Sequence, residues 1–182
     1  MLRLRITQRP RVARTFRKAT DKGNAAPTRT LSLMSKASLE RAVEELSAQP
    51  ANAQISALIA LAGELKTLAP DPSQHWTIRD VRQDIECDDT VGLYARLEGE
   101  MVRLAAEVGQ EVTTLTKALT ALLVKHLDGE GASTIRSVTS SDLAPMVPET
   151  LLRQRRNTVH YSVQRLQDVV RALEGAAVVS ST

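Results

Sequence analysis

The residues able to do chemistry are few and scattered. The histidines are His75, in a proline-flanked stretch, His126 and His160. A zinc-type site needs three or four side chains converging on one point. A pairing of His126 with His160 would still lack its third ligand, so no metal is expected. Cys87 stands beside Asp88 and Asp89, whose charges disfavour the thiolate that a nucleophilic cysteine needs. It is expected to be buried and inert, and as the single cysteine it cannot form an internal disulfide. The cluster Asp84, Glu86, Asp88 and Asp89 lacks the alternating ligands and central glycine of a calcium loop and reads as a solvated acidic cap. Gly129-Glu130-Gly131 has no following Lys-Ser/Thr, so it is no phosphate loop, and no Gly-x-Ser-x-Gly elbow occurs. The expectation is a protein that is not an enzyme, with no catalytic residues, cofactor or metal.

Positive charge carries more information. Residues 1–36 hold Arg3, Arg5, Arg9, Arg11, Arg14, Arg17, Lys18, Lys22, Arg29 and Lys36 against the single acid Asp21, a net of +9. The chain as a whole is only +3, so residues 37–182 form an acidic body of −6. Arg11, Arg14 and Arg17 recur at helical spacing before Gly23-Asn24 and Pro27. An Arg-rich, acid-poor segment of this kind has the composition of a mitochondrial import signal. It equally suits a basic arm laid along phosphates, with salt-dependent binding. In the body, Arg153, Arg155 and Arg156 form the one basic cluster, without the interleaved aromatic residues of a stacking platform for single-stranded nucleic acid. The candidate RNA- or partner-binding residues are therefore Arg3, Arg5, Arg9, Arg11, Arg14, Arg17, Lys18 and Lys22 on the arm and Arg153, Arg155 and Arg156 on the body.

The elements that must carry these residues read as helices. Aromatic residues make up 2% of the 182-residue chain, which disfavours sandwiches and barrels. No apolar run approaches the ~20 residues of a membrane span. Leu39, Ala42, Val43 and Leu46 give a short amphipathic helix over 35–47. Ile55, Leu58, Ile59, Ala62 and Leu65 give a second over 53–68, almost uncharged and expected to be buried on more than one side. A short helix is expected from Thr77 to Glu86 with Ile78, Val81 and Ile85 inward. Tyr94, Leu97, Met101, Leu104, Val108, Val112, Leu115, Leu119, Leu122 and His126 form a heptad-like seam, expected as one helix over 90–127 with Gly99 and Gly109 inside it. Asp128–Gly131 ends it. After Pro148, Leu152, Val159, Val163, Leu166, Val170 and Leu173 give a last helix, stopped near Gly175.

The expected fold is all-α: short N-terminal helices, then a long antiparallel helical hairpin of coiled-coil type (91–126 against 149–174), with an extended basic arm. Residues 1–36 are the arm and 37–182 the helical domain. The expected function is a non-catalytic structural subunit of a large assembly, placed on the matrix side of mitochondria. Its arm would dock onto RNA as in a ribosome-like particle, and its body would contact other protein subunits. The alternative is an accessory subunit of a respiratory-chain or ATP-synthase complex whose N-terminus serves import. A scaffold protein of phage or cytoskeletal type is a third reading.

Overall fold

Gly99, at φ 64°, sits at the exposed tip of a β-hairpin. The computed structural model describes residues 28–83 and 90–180. In chain order they form α1 (Thr28–Ser47), α2 (Ala51–Glu64) with a 3-10 turn (Leu65–Leu68), and the strands β1 (Ile78–Gln83), β2 (Thr90–Glu98) and β3 (Met101–Val108). Then come α3 (Thr114–Leu127), the two-residue strand β4 (Glu130–Gly131), α4 (Ala132–Arg136), α5 (Ser140–Leu143), a second 3-10 turn (Ala144–Met146) and α6 (Glu149–Ser180). The strands make one antiparallel sheet in the order β1-β2-β3-β4. The protein is mixed α/β. The all-α fold and the coiled-coil hairpin expected from the sequence are corrected.

The reason lies in residues 90–108. Their 3- and 4-residue spacings mimic a heptad, but the side chains alternate with the period of two that a strand imposes. Leu93 and Ala95 face Ala106 and Leu104 across the β2–β3 ladder, while Tyr94 and Arg96 face Ala105 and Arg103 on the other side. Residues of the supposed seam therefore part company: Leu104 is buried on the inner face, Tyr94 lies on the outer face, and Leu97 and Met101 are over a third exposed. Glu98 pairs with Met101, which leaves Gly99-Glu100 as a two-residue turn, and such turns need positive φ at the first position. Where the sequence indicates a helix from Thr77, Ile78–Gln83 form strand β1, with Val81 51% exposed rather than inward; the later part of that expected helix, Ile85 included, lies outside the described residues.

The inner face of the sheet holds the main core. Leu93, Ala95, Val102, Leu104 and Ala106 pack beneath Leu115, Leu119 and Leu122 of α3 and Val163, Leu166, Val170 and Leu173 of α6. Helices α3 and α6 touch one another side by side over this one face of the sheet, not as the long two-helix hairpin expected from the seam. Leu39 and Val43 seat α1, and Leu58 and Leu65 seat α2 and its turn. Thr113 caps α3 by accepting from the Thr116 amide at 3.4 Å. After Leu127 the chain turns at Gly129 (φ 83°). Asp128 accepts the Leu104 amide at 2.8 Å and meets Arg103 at 3.0 Å, binding the turn to β3.

Between β4 and α6, the capping box of Thr139 and Asp142 fixes α5. Gln167 donates to the carbonyls of Arg136 and Val138 at 3.1 and 2.8 Å, so α6 clamps this connector. Helix α6 kinks at Arg155 (φ −130°, ψ 30°) and runs through Gly175 to Ser180, past the stop that the sequence indicates. A helical glycine costs only about 1 kcal/mol, which neighbouring turns outweigh. On the outer face of the sheet Trp76, Tyr94 and Ala105 form a separate small cluster.

Candidate functional site

Where the β1 end and the β2 start pass under α3 and α6, they leave a cavity of about 170 Å³. Its floor is apolar: Val91 and Leu93 of β2, Leu123 and Val124 of α3, and Leu166 of α6. Its walls carry hydroxyls, Thr116 and Thr120 from α3 and Thr158, Tyr161 and Ser162 from α6. Arg82, Gln83, Gln164, Arg165 and Asp168 complete the lining. An apolar void of about 150 Å³ admits a benzene-sized guest, so this one has room for a small group.

Each wall residue is placed by local structure. Thr116 and Thr120 lie one turn apart on α3, only 4% and 5% exposed; the Thr116 hydroxyl is 3.0 Å from that of Thr113. Ser162 donates to the Thr158 carbonyl at 2.8 Å, the usual back-bond of a helical serine. Arg165 is held by Asp80: Nε to Oδ2 is 3.1 Å, and the guanidinium donates to the Asp80 carbonyl at 2.9 Å and to the Val91 carbonyl. That arrangement ties α6 to two strands and spends much of the cation within the fold. The lining thus combines hydroxyl-bearing side chains, a group that can both donate and accept, with apolar ones; the Thr116 and Ser162 hydroxyls already have partners within the protein.

The residues singled out from the sequence fall elsewhere. Arg3, Arg5, Arg9, Arg11, Arg14, Arg17, Lys18 and Lys22 lie outside the described residues, as do Cys87 and the acids Asp84, Glu86, Asp88 and Asp89; the last five belong to the stretch joining Gln83 to Thr90. Arg153 and Arg156 are exposed and Arg155 is half-buried at the kink. Arg153 is 2.5 Å from Glu149. His75 and His160 are exposed, the latter beside Tyr161 with ring centroids 5.7 Å apart. His126 is half-buried, its Nδ1 3.0 Å from the Ser38 hydroxyl of α1. Burial, and then the charge of Lys125, hold the His126 pKa below its usual value, with Glu64 opposing. Among the described residues no three His, Cys, Asp or Glu side chains come together as a metal-ligand set, and no helix is long and apolar enough to cross a membrane.

The sequence does contain a signal for the cavity that charge and histidine counting pass over. Thr116 and Thr120, and Thr158, Tyr161, Ser162 and Arg165, follow helical spacing beside the apolar stripes of α3 and α6. A hydroxyl row flanking a core stripe marks where two helices line one space.

No family model matches the chain, and no curated protein does. Among solved structures, it is similar to a protein from Thermus thermophilus, known from a solution structure and described as hypothetical. The TM-score is 0.59 at 25% identity, covering 75% of this chain and 96% of that one.

Proposed function

We propose that this protein works by binding rather than by catalysis, and that the cavity under α3 and α6 is its working site. The observation that carries this reading is the pairing of an apolar floor with five hydroxyl-bearing side chains around a space of about 170 Å³. Sites for small ligands combine apolar lining with a few placed polar groups. The fitting group is small and neutral, with one hydrogen-bonding end. Phenol is a direct probe. Titrated into isotope-labelled protein, it should shift the methyl signals of Leu93, Leu123 and Leu166 saturably, and Thr120→Leu, which fills the space, should abolish the shifts. Absence of saturable shifts at those methyls in the parent protein overturns the reading.

A second reading is favoured by the partition of charge, +9 over residues 1–36 and −6 over the rest. In it the protein is a structural subunit of a mitochondrial assembly whose arm docks onto RNA, with an accessory subunit of a respiratory complex as the alternative. Binding to a structured RNA should then weaken steeply with salt. Replacing Arg9, Arg11, Arg14 and Arg17 with Ala should make that dependence shallower, by roughly 0.7–0.9 in slope for each phosphate left without its cation. Binding unchanged by these replacements would sink the RNA arm.

A further inference from the structure

Helix α2 has the composition of a buried helix and lies on the outside. From Gln49 to Gly63 there is no charged residue. Gln54 and Leu58 turn inward, yet Ile55 and Ile59 are 44% and 58% exposed. The exposed positions Asn52, Ile55, Ser56, Ile59, Ala60 and Gly63 fall three or four apart along a single stripe. The opposite side of α2 packs on α3, so the expectation that α2 is covered on more than one side is met on one side only.

We propose that this stripe pairs with the same stripe of a second copy, the two α2 helices running antiparallel. With Ala51 of one helix opposite Glu64 of the other, Asn52 faces the partner's Gly63, Ile55 the partner's Ala60, and Ile59 the partner's Ser56. A larger side chain meets a smaller one at each step, the arrangement by which facing layers interdigitate. A uniform stripe of isoleucine or of alanine has no such register.

The helix ends fit the same orientation. Pro50 begins α2 with no side-chain cap, and its first turn holds no acid of its own. Glu64 closes the other end, 2.7 Å from Lys125. Antiparallel pairing brings Glu64 beside the partner's first turn, where a carboxylate is favoured; parallel pairing sets the two Glu64 carboxylates together. An acidic or basic partner finds no counter-charge on the stripe. The helix is about 20 Å long, which gives an interface below the ~800 Å² per partner of a stable complex. The dimer is a reversible one.

Sedimentation of the full chain, from micromolar to millimolar, tests this. Association should change little between about 0.05 and 0.5 M salt, whereas contact between the basic arm of one copy and the acidic body of another weakens over that range. Ile59→Glu should raise the dissociation constant by about tenfold or more. Ala60→Ile adds apolar surface but sets isoleucine against isoleucine, so it should weaken association, and adding Ile55→Ala should restore it. These positions are exposed, and thermal melting by circular dichroism checks that each variant folds. A monomer at every concentration, loss of association in salt, or stronger association in Ala60→Ile each overturns the proposal.

Discussion

Arg165 of α6 and Asp80 of β1, 85 residues apart in the chain, hold the last helix to the edge of the sheet. Both are largely buried, at 13% and 20% side-chain exposure. Hydrogen bonds to charged groups contribute about 1.5–3 kcal/mol each, and a buried partner left unpaired costs more. Arg165→Leu should therefore lower the unfolding free energy by about 3 kcal/mol in urea titration. Arg165→Lys should rescue little, because a point charge cannot span the carboxylate and two carbonyls as the planar guanidinium does. Equal stability of the lysine variant would show that charge alone holds the contact.

The shared core of α3 and α6 makes a second expectation. Leu166 is 2% exposed and Leu119 is fully buried. Leu119→Ala should cost about 2–5 kcal/mol, from reduced burial and the cavity left behind. Leu166→Asp should cost as much or more by burying an unpaired charge. Thermal melting of the two variants checks both; a melting temperature unmoved in either would contradict the packing.

What was legible in the sequence followed from long helices with one apolar stripe. The apolar positions of α1, the stop at Asp128–Gly131 and the core face of α6 are all visible as 3.6-residue periodicity, and the structure keeps them. The strands were not legible because Tyr94, Leu97, Met101 and Leu104 satisfy a heptad count as well as they satisfy a hairpin. The arbiter was Gly99, which is costly inside a helix and favoured at a turn. The cavity was hidden for a different reason. Its walls are threonine, serine and tyrosine, residues without charge or metal affinity, and only tertiary packing sets Thr120 near Ser162.

Gly99 gives a third test. At φ 64° an L-residue is strained by roughly 1–2 kcal/mol. Gly99→Val should destabilise by at least that amount and Gly99→Asn by less, since asparagine tolerates the left-handed region. No neighbour lies within 4 Å of an added Cβ, so any loss comes from backbone conformation. Chemical denaturation of the two variants separates them.

His126 makes stability depend on pH. Its pKa is lowered from 6.5 in the folded protein, so the unfolded chain takes up the proton first. Its contribution is fully present above pH 6.5 and is lost as pH falls from there through the folded value. Unfolding free energy should drop over this acid window, and His126→Gln should flatten the drop. An identical slope in the variant would assign the acid sensitivity to other groups.

The outer-face cluster described above contains Trp76, the chain's single tryptophan, set edge-to-face against Tyr94 at 6.1 Å and beneath the Arg96 guanidinium at 5.7 Å. It belongs to neither the helices nor the inner core. Indole emission thus reports on the solvent side of the sheet alone, while far-ultraviolet dichroism reports chiefly on α1, α2, α3 and α6. The molecule carries two optical reporters on opposite sides of one sheet. Coincident curves from the two mean that both layers come apart as one cooperative unit, and separated curves mean that one layer outlasts the other.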